Sequence, residues 1–268
     1  MGLTLMTIDA FTSEPFRGNP AAVCFLDGPR PDAWMQRVAA EMNLSETAFL
    51  LKEGDGWRLR WLTPATEVPL CGHATLASAH ALWSTGRLSD GQEARFETLS
   101  GRLSARRDGD AIAMDFPALP VVAAELPETI RRALGATPVS VTRTHRHQEQ
   151  NLLLELESEQ AVRDLKPDFV TLRTFSDGVI VTARAKDAAG GYDFVSRYFA
   201  GVFGIDEDPV TGSAHCSLAP FWAERLGRSE LTGFQCSARG GTVRCGVRGD
   251  RVLLAGRAVT VTKGELLA

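Results

Sequence analysis

The 268-residue chain sets 29 Lys and Arg against 33 Asp and Glu, a formal charge of −4, with 44% hydrophobic and 23% charged residues. That is the make-up of a soluble globular protein, with no reason to expect nucleic acid or an anionic membrane as partner. Its five cysteines form no Cys-x-x-Cys pair and its five histidines do not stand at ligand spacing beside them, which argues against a disulfide scaffold and a zinc site. The N-terminus lacks the basic start and apolar run of a signal peptide and no segment reaches transmembrane length, so a cytoplasmic protein with reduced thiols is expected.

In chain order, Leu3–Phe11 alternates as a strand and Thr12–Pro20 is a breaker-rich loop. Ala21–Leu26 reads as a second strand. Pro31–Met42 places Trp34, Met35, Val38, Ala39 and Met42 at helical spacing behind a proline. Asn43–Leu51 leaves that helix and enters a strand, so Glu46 falls on the junction. Trp57–Leu62 alternates as a strand, and Thr63–Pro69 is a loop leading to Cys71-Gly-His and an alanine-rich helix that ends near Gly86. Arg95–Glu97, Gly101–Arg106 and Ala111–Phe116 read as short strands, with Asp108-Gly-Asp as a hairpin turn. Past the prolines at 117 and 120, Pro127–Leu134 has a short helix's composition. Asn151–Leu156 and Gly178–Thr182 are strand candidates, and Gly190–Phe199 runs into an aromatic strand. Asp206–His215 is a second loop-to-helix junction. His145 and His147 lie in a polar stretch and read as a loop or strand end rather than a metal site.

The two loop-to-helix junctions match at a fixed offset. Pro69, Gly72, Ala74 and Ala79 recur as Pro209, Gly212, Ala214 and Ala219, each 140 positions later. The same offset relates Gly101, Leu103, Gly109, Asp110 and Ile112 to Gly241, Val243, Gly249, Asp250 and Val252. A match covering both a helix and a later hairpin points to duplication. Each half then holds one long apolar helix amid several antiparallel strands, which suggests a sheet rolled around that helix. Ala74, Ala77, Ala79 and Ala81 supply the small side chains that close strand approach needs. The first N–H groups of each helix, behind Gly72 and Gly212, would form an anion site.

Cys71 precedes a helix N-terminus, where the dipole favours a thiolate, and His73 follows two residues on. The alternative is a small buried residue, the common fate of a free cysteine. Position 71 maps to Thr211, so the duplicated site has no second thiol. His73 maps to Ser213; both would leave the first helical turn, His73 either handling protons or only capping the helix. Asp208 either shares their cleft or is a turn former beside Asp206 and Glu207. Glu46 is the one carboxylate in Asn43–Leu51 and suits a general acid/base if half-buried; otherwise it caps or faces solvent.

Those residues also carry a family resemblance. Asp9-Ala-Phe-Thr-Ser-Glu-Pro-Phe-Arg-Gly-Asn-Pro-Ala-Ala-Val-Cys resembles the opening signature of the phenazine-biosynthesis PhzF-like family. Asn43-Leu-Ser-Glu-Thr-Ala-Phe, Cys71-Gly-His-Ala-Thr-Leu-Ala and Asp208-Pro-Val-Thr-Gly-Ser-Ala-His are similar to its other motifs, in order and across nearly the whole chain. The resemblance implies an α+β, diaminopimelate-epimerase-like fold of two pseudo-symmetric lobes, each a barrel-like, mostly antiparallel sheet around a central helix. The lobes are expected at 1–117 and 118–268, leaving open whether the last strand returns to the first. It implies a cofactor-independent, metal-free isomerase, usually a homodimer, acting on a small carboxylate-bearing substrate between the lobes. By motif position Glu46, His73 and Asp208 are its catalytic residues. Ser45, Gly72, Gly212 and Ser213 shape the substrate pocket, joined by Asn19, Cys71 and Thr211. A one-thiol epimerase or racemase using Cys71, and a non-catalytic protein that binds a small acid, are the alternatives.

Overall fold

A computed structural model describes residues 2–144, 150–187, 190–201 and 204–268; His145 and His147 lie outside the described residues. The chain forms two compact units, one of Met1–Asp115 with Ala255–Ala268, the other of Phe116–Leu254.

The first unit contains β1 (Leu3–Ala10), β2 (Asn19–Leu26), α1 (Asp32–Met42), β3 (Glu46–Glu53), β4 (Gly56–Leu62), β5 (Glu67–Val68), α2 (Gly72–Ser84), β6 (Ala94–Thr98), β7 (Gly101–Asp108) and most of β8 (Ala111–Pro117). The second contains β9 (Val121–Ala123), α3 (Glu128–Leu134), β10 (Ser140–Thr144), β11 (Asn151–Glu155), α4 (Glu159–Arg163), α5 (Phe169–Leu172), β12 (Gly178–Arg184), β13 (Phe194–Ala200), β14 (Ile205–Asp208), α6 (Gly212–Leu226), β15 (Glu230–Gln235), β16 (Gly241–Arg248) and most of β17 (Arg251–Gly256). The chain closes with β18 (Ala258–Leu266), which pairs antiparallel with β1 in the first unit.

This is the α+β fold expected. Among the described residues the antiparallel meander is broken by parallel pairs: β2 with β3, β4 with β6, β11 with β12, and β13 with β15. A parallel pair needs a crossover, and a helix supplies it each time: α1, α2, α4 with α5, and α6. The repeat is visible in the elements themselves. Helices α2 and α6 begin at Gly72 and Gly212, and β7 and β16 span Gly101–Asp108 and Gly241–Arg248, each 140 apart.

Helix α2 lies against β1, β2, β3 and β18. Ala74, Ala77, Ala79 and Ala81 are fully buried along it, so backbones pack where larger side chains would hold them apart. On the other face of the sheet, Met35, Val38 and Ala39 of α1 form a separate cluster with Leu3, Cys24, Phe49 and Leu62. In the second unit, Ile130 of α3, Val162 of α4 and Leu172 of α5 cover Leu152, Leu154, Val181, Val195 and Phe199.

The structure departs from the sequence reading at two loops. Thr63–Pro69 contains β5 and Asp206–Asp208 belongs to β14, because both short segments borrow their order from pairing with β4 and β13. The stretch from Gly190 runs into the expected aromatic strand at Phe194. Among the described residues no helix is long and apolar enough to cross a membrane.

Candidate active site

The β1–β2 hairpin sets the first group of residues. Asp9 is buried and accepts the Phe16 N–H at 2.7 Å, which pins the connecting loop. Gly18 has φ +63°, and a Cβ there would stand 2.1 Å from the Ala10 carbonyl oxygen, so only glycine fits. The loop therefore delivers Asn19 to the start of β2 in one position. Ala21 of β2 pairs with Glu46 of β3, which puts Glu46 beside the strand that carries Asn19.

Helix α2 adds the rest. Its N-cap, Cys71, is extended and makes no side-chain cap, so the first-turn N–H groups behind it are left to another acceptor. His73 is buried, with Nε2 at 3.1 Å from Glu46 Oε2. The approach is close but out of line for a hydrogen bond. On the other edge of the ring, Nδ1 is 3.1 Å from Asn19 Nδ2 and 3.5 Å from Cys71 Sγ. A carboxamide offers either a donor or, turned over, an acceptor to Nδ1, so Asn19 can accompany either protonation state of the ring.

The electrostatics divide the three groups. Burial raises the Cys71 thiol, the Glu46 charge raises it further, and although His73 works in the other direction the thiol stands at about 11. The helix dipole does not win there. Burial opposes charge on His73, yet Cys71 and the Glu46 carboxylate outweigh it and hold the ring well above its ordinary value. Glu46, Cys71 and His73 offer donor atoms within 4.8 Å of one another. They nevertheless use opposite ring nitrogens, Glu46 on Nε2 and Cys71 on Nδ1.

The second group sits at the matching junction of the other unit. Asp208 ends β14, and its Oδ2 accepts the Thr211 hydroxyl at 2.5 Å. Thr211 is the N-cap of α6 and, like Cys71, makes no side-chain cap to the helix. Gly212 is buried and Ser213 half-buried in the first helical turn. Gln235 of β15, fully buried, reaches both Asp208 and Thr211. His215, one turn into α6, faces the Thr211 carbonyl oxygen through Nδ1 at 2.8 Å, and burial holds its pKa down at about 4.

The structure thus gathers Asn19, Glu46, Cys71 and His73 in one unit, and Asp208, Thr211, Gly212 and Ser213 in the other. Ser45 is half-buried and directly precedes Glu46. The sequence reading had no part for Gln235. The signal was there: Leu231, Gly233 and Gln235 take the inward phase of β15, where a lone amide must have partners.

The strand-rich α+β fold is shared with solved structures of phenazine biosynthesis proteins. The profile of the phenazine biosynthesis-like proteins (PhzC-PhzF) matches residues 8–264. An uncharacterized isomerase of Halalkalibacterium halodurans is 48% identical, covering 100% of this chain and 99% of its own. An uncharacterized isomerase of Pseudomonas aeruginosa is 49% identical, with 99% of each chain covered. The crystal structure of a PhzF-family phenazine biosynthesis protein from Enterococcus faecalis superposes with a TM-score of 0.93 at 38% identity over 100% of both chains. The chain belongs to the phenazine biosynthesis-like family and is an isomerase of that family.

Proposed function

We propose that the protein shifts a proton within a small carboxylate-bearing substrate, with Glu46 as the group that removes and returns it. The observation that carries this reading is the 3.1 Å approach of Glu46 Oε2 to His73 Nε2 at the N-terminus of α2. A protonated His73 beside it sets a positive charge next to the carboxylate that takes the proton. When the substrate C–H proton moves to Glu46, the imidazolium is left without its counter-charge just as the substrate becomes an enolate-like anion. The two new charges match. Glu46 then gives its proton to another carbon of the conjugated system, so nothing is oxidised or reduced and no co-reactant is consumed.

His73 and Asp208 position and polarise the substrate in this reading, with Ser45, Asn19 and Ser213 lining the pocket. The N–H groups behind Gly72 and Gly212 bind the carboxylate. A cytoplasmic homodimer completes the proposal. The test is proton NMR in deuterium oxide with a dihydro-hydroxyanthranilate and a panel of amino and hydroxy acids. Deuterium uptake that is lost in Glu46→Gln and kept in Cys71→Ser supports the reading; uptake lost only in Cys71→Ser defeats it.

The Cys71 Sγ contact with His73 Nδ1, at 3.5 Å, favours a second reading, a one-thiol epimerase. A thiol at about 11 is a poor base at neutral pH, and Thr211 stands where a second thiol would be needed. Glu46 is therefore preferred.

A further inference from the structure

We infer that Gln235 is a positioning residue that fixes the direction of the hydrogen bonds running through Thr211 to Asp208, so that Asp208 Oδ2 is held as an acceptor. The inference rests on the proposed role of Asp208 as a polarising group.

The argument is one of donors and acceptors. The Thr211 N–H donates to Gln235 Oε1 at 2.9 Å, and Gln235 Nε2 donates to the Asp208 carbonyl oxygen at 2.7 Å. An N–H must meet the amide oxygen and a carbonyl must meet the amide nitrogen, so only one orientation of the Gln235 amide satisfies both. In that orientation the remaining Nε2 hydrogen donates to Thr211 Oγ1 at 3.1 Å. The Thr211 hydroxyl, already accepting, turns its own hydrogen to Asp208 Oδ2 at 2.5 Å. Oδ2 is thereby held as an acceptor.

Gln235 is fully buried, and Asp208 and Thr211 are 8% and 7% exposed, so water competes little for these bonds. The bracket also ties the strand end at Asp208 to the N-cap of α6, and the helix N-terminus and the carboxylate become one rigid part. The first half has no counterpart. The positions 140 earlier are Val68, Cys71 and Arg95, and Arg95 pairs instead with Glu93 and Asp55. The duplicated junctions have diverged, one towards a thiol beside an imidazole and the other towards a locked carboxylate.

The test is a pH titration of protein labelled with carboxyl-13C aspartate, the Asp208 signal being assigned by its loss in Asp208→Asn. Thr211→Val and Gln235→Leu remove the hydroxyl and its orienting donor, and each is expected to raise the Asp208 midpoint by about one pH unit relative to wild type. Thr211→Ser, which keeps the hydroxyl, is expected to hold the wild-type midpoint. A wild-type readout needs no variant: the Thr211 hydroxyl proton should exchange slowly enough to be seen, with a cross-peak to the Gln235 amide. An unchanged midpoint in folded Thr211→Val, or a cross-peak placing the hydroxyl proton away from Asp208, overturns the inference. Deuterium uptake that survives Asp208→Asn would defeat the substrate role of Asp208 alone, leaving the titration to judge Gln235.

Discussion

His73 presents one ring nitrogen to Glu46 Oε2 at 3.1 Å and the other to Asn19 Nδ2 at 3.1 Å and Cys71 Sγ at 3.5 Å, so a single imidazole spans a carboxylate on one edge and an amide and a thiol on the other. The ring comes from α2, Glu46 from β3 and Asn19 from β2. A change in any of these elements is felt at His73, and the protonation of His73 is felt in turn by the groups it touches.

The first expected outcome concerns pH. Burial disfavours the His73 cation, but Cys71 and Glu46 raise its pKa well above the ordinary 6.5. If the imidazolium supports Glu46, deuterium exchange stays level across neutral pH and falls as pH rises through the elevated His73 value. His73→Gln should lower exchange by about 10²-fold or more and remove that alkaline limb. A wild-type profile that instead falls from pH 6.5 upwards would contradict a raised His73.

A second outcome concerns Cys71. With the thiol at about 11, the thiolate fraction near neutral pH is on the order of 10⁻⁴, and alkylation by iodoacetamide should be slow. Glu46→Gln removes the nearby negative charge and should move the midpoint of the alkylation rate downward. His73→Asn removes the lowering partner and should move it upward. Peptide mapping by mass spectrometry separates Cys71 from the other four cysteines.

These contacts mark where the sequence is informative and where it is not. Cys71-Gly-His and Asn43–Phe49 are legible because each motif is local, with reactive and turn residues side by side. The duplication likewise fixes α2, α6, β7 and β16 by spacing alone. The bond from Asn19 to His73 joins residues 54 apart, and those from Gln235 to Thr211 join residues 24 apart, so both depend on sheet register. A hydrophobic pattern does not encode which two buried amides or rings meet. The dipole argument at Cys71 fails for the same reason, since burial and Glu46, both products of tertiary packing, outweigh it.

A third outcome is a stability difference across acid pH. Burial lowers His215 from 6.5 to about 4, so the unfolded chain takes up its proton first as pH falls. Its contribution is fully present above pH 6.5 and is lost progressively as pH drops from 6.5 towards 4, in total about 3 kcal/mol. His215→Asn keeps a donor near the Thr211 carbonyl oxygen but does not titrate. Urea unfolding should show a flatter pH dependence for the variant in that window, whatever constant penalty the smaller side chain adds. The raised His73 acts with the opposite sign, stabilising below its ordinary value and losing that effect as pH climbs through the folded one, so the comparison is made between variants.

A fourth outcome tests the hairpin that carries Asn19. Gly18→Ala would place a methyl 2.1 Å from the Ala10 carbonyl oxygen at a φ of +63°. The expected cost is about 2 kcal/mol or more in denaturant unfolding. If the loop shifts rather than the fold failing, the His73 ring resonances should move with it, because Asn19 is the next residue. A stable Gly18→Ala with unmoved His73 signals would show that the hairpin does not set this contact.

The pairing of β18 with β1 has a consequence for how the protein is made. Leu3 lies opposite Leu266 and Ala10 opposite Ala258, so β1 waits for a strand made only after the second unit. While the whole second unit is being synthesised, β1 has β2 on one side and a bare edge on the other. Until β18 arrives, that edge is a template for wrong pairing. A stop codon placed before β18 would leave the Asn19–His73–Glu46 group intact in sequence yet deprive its unit of the strand that pairs with β1.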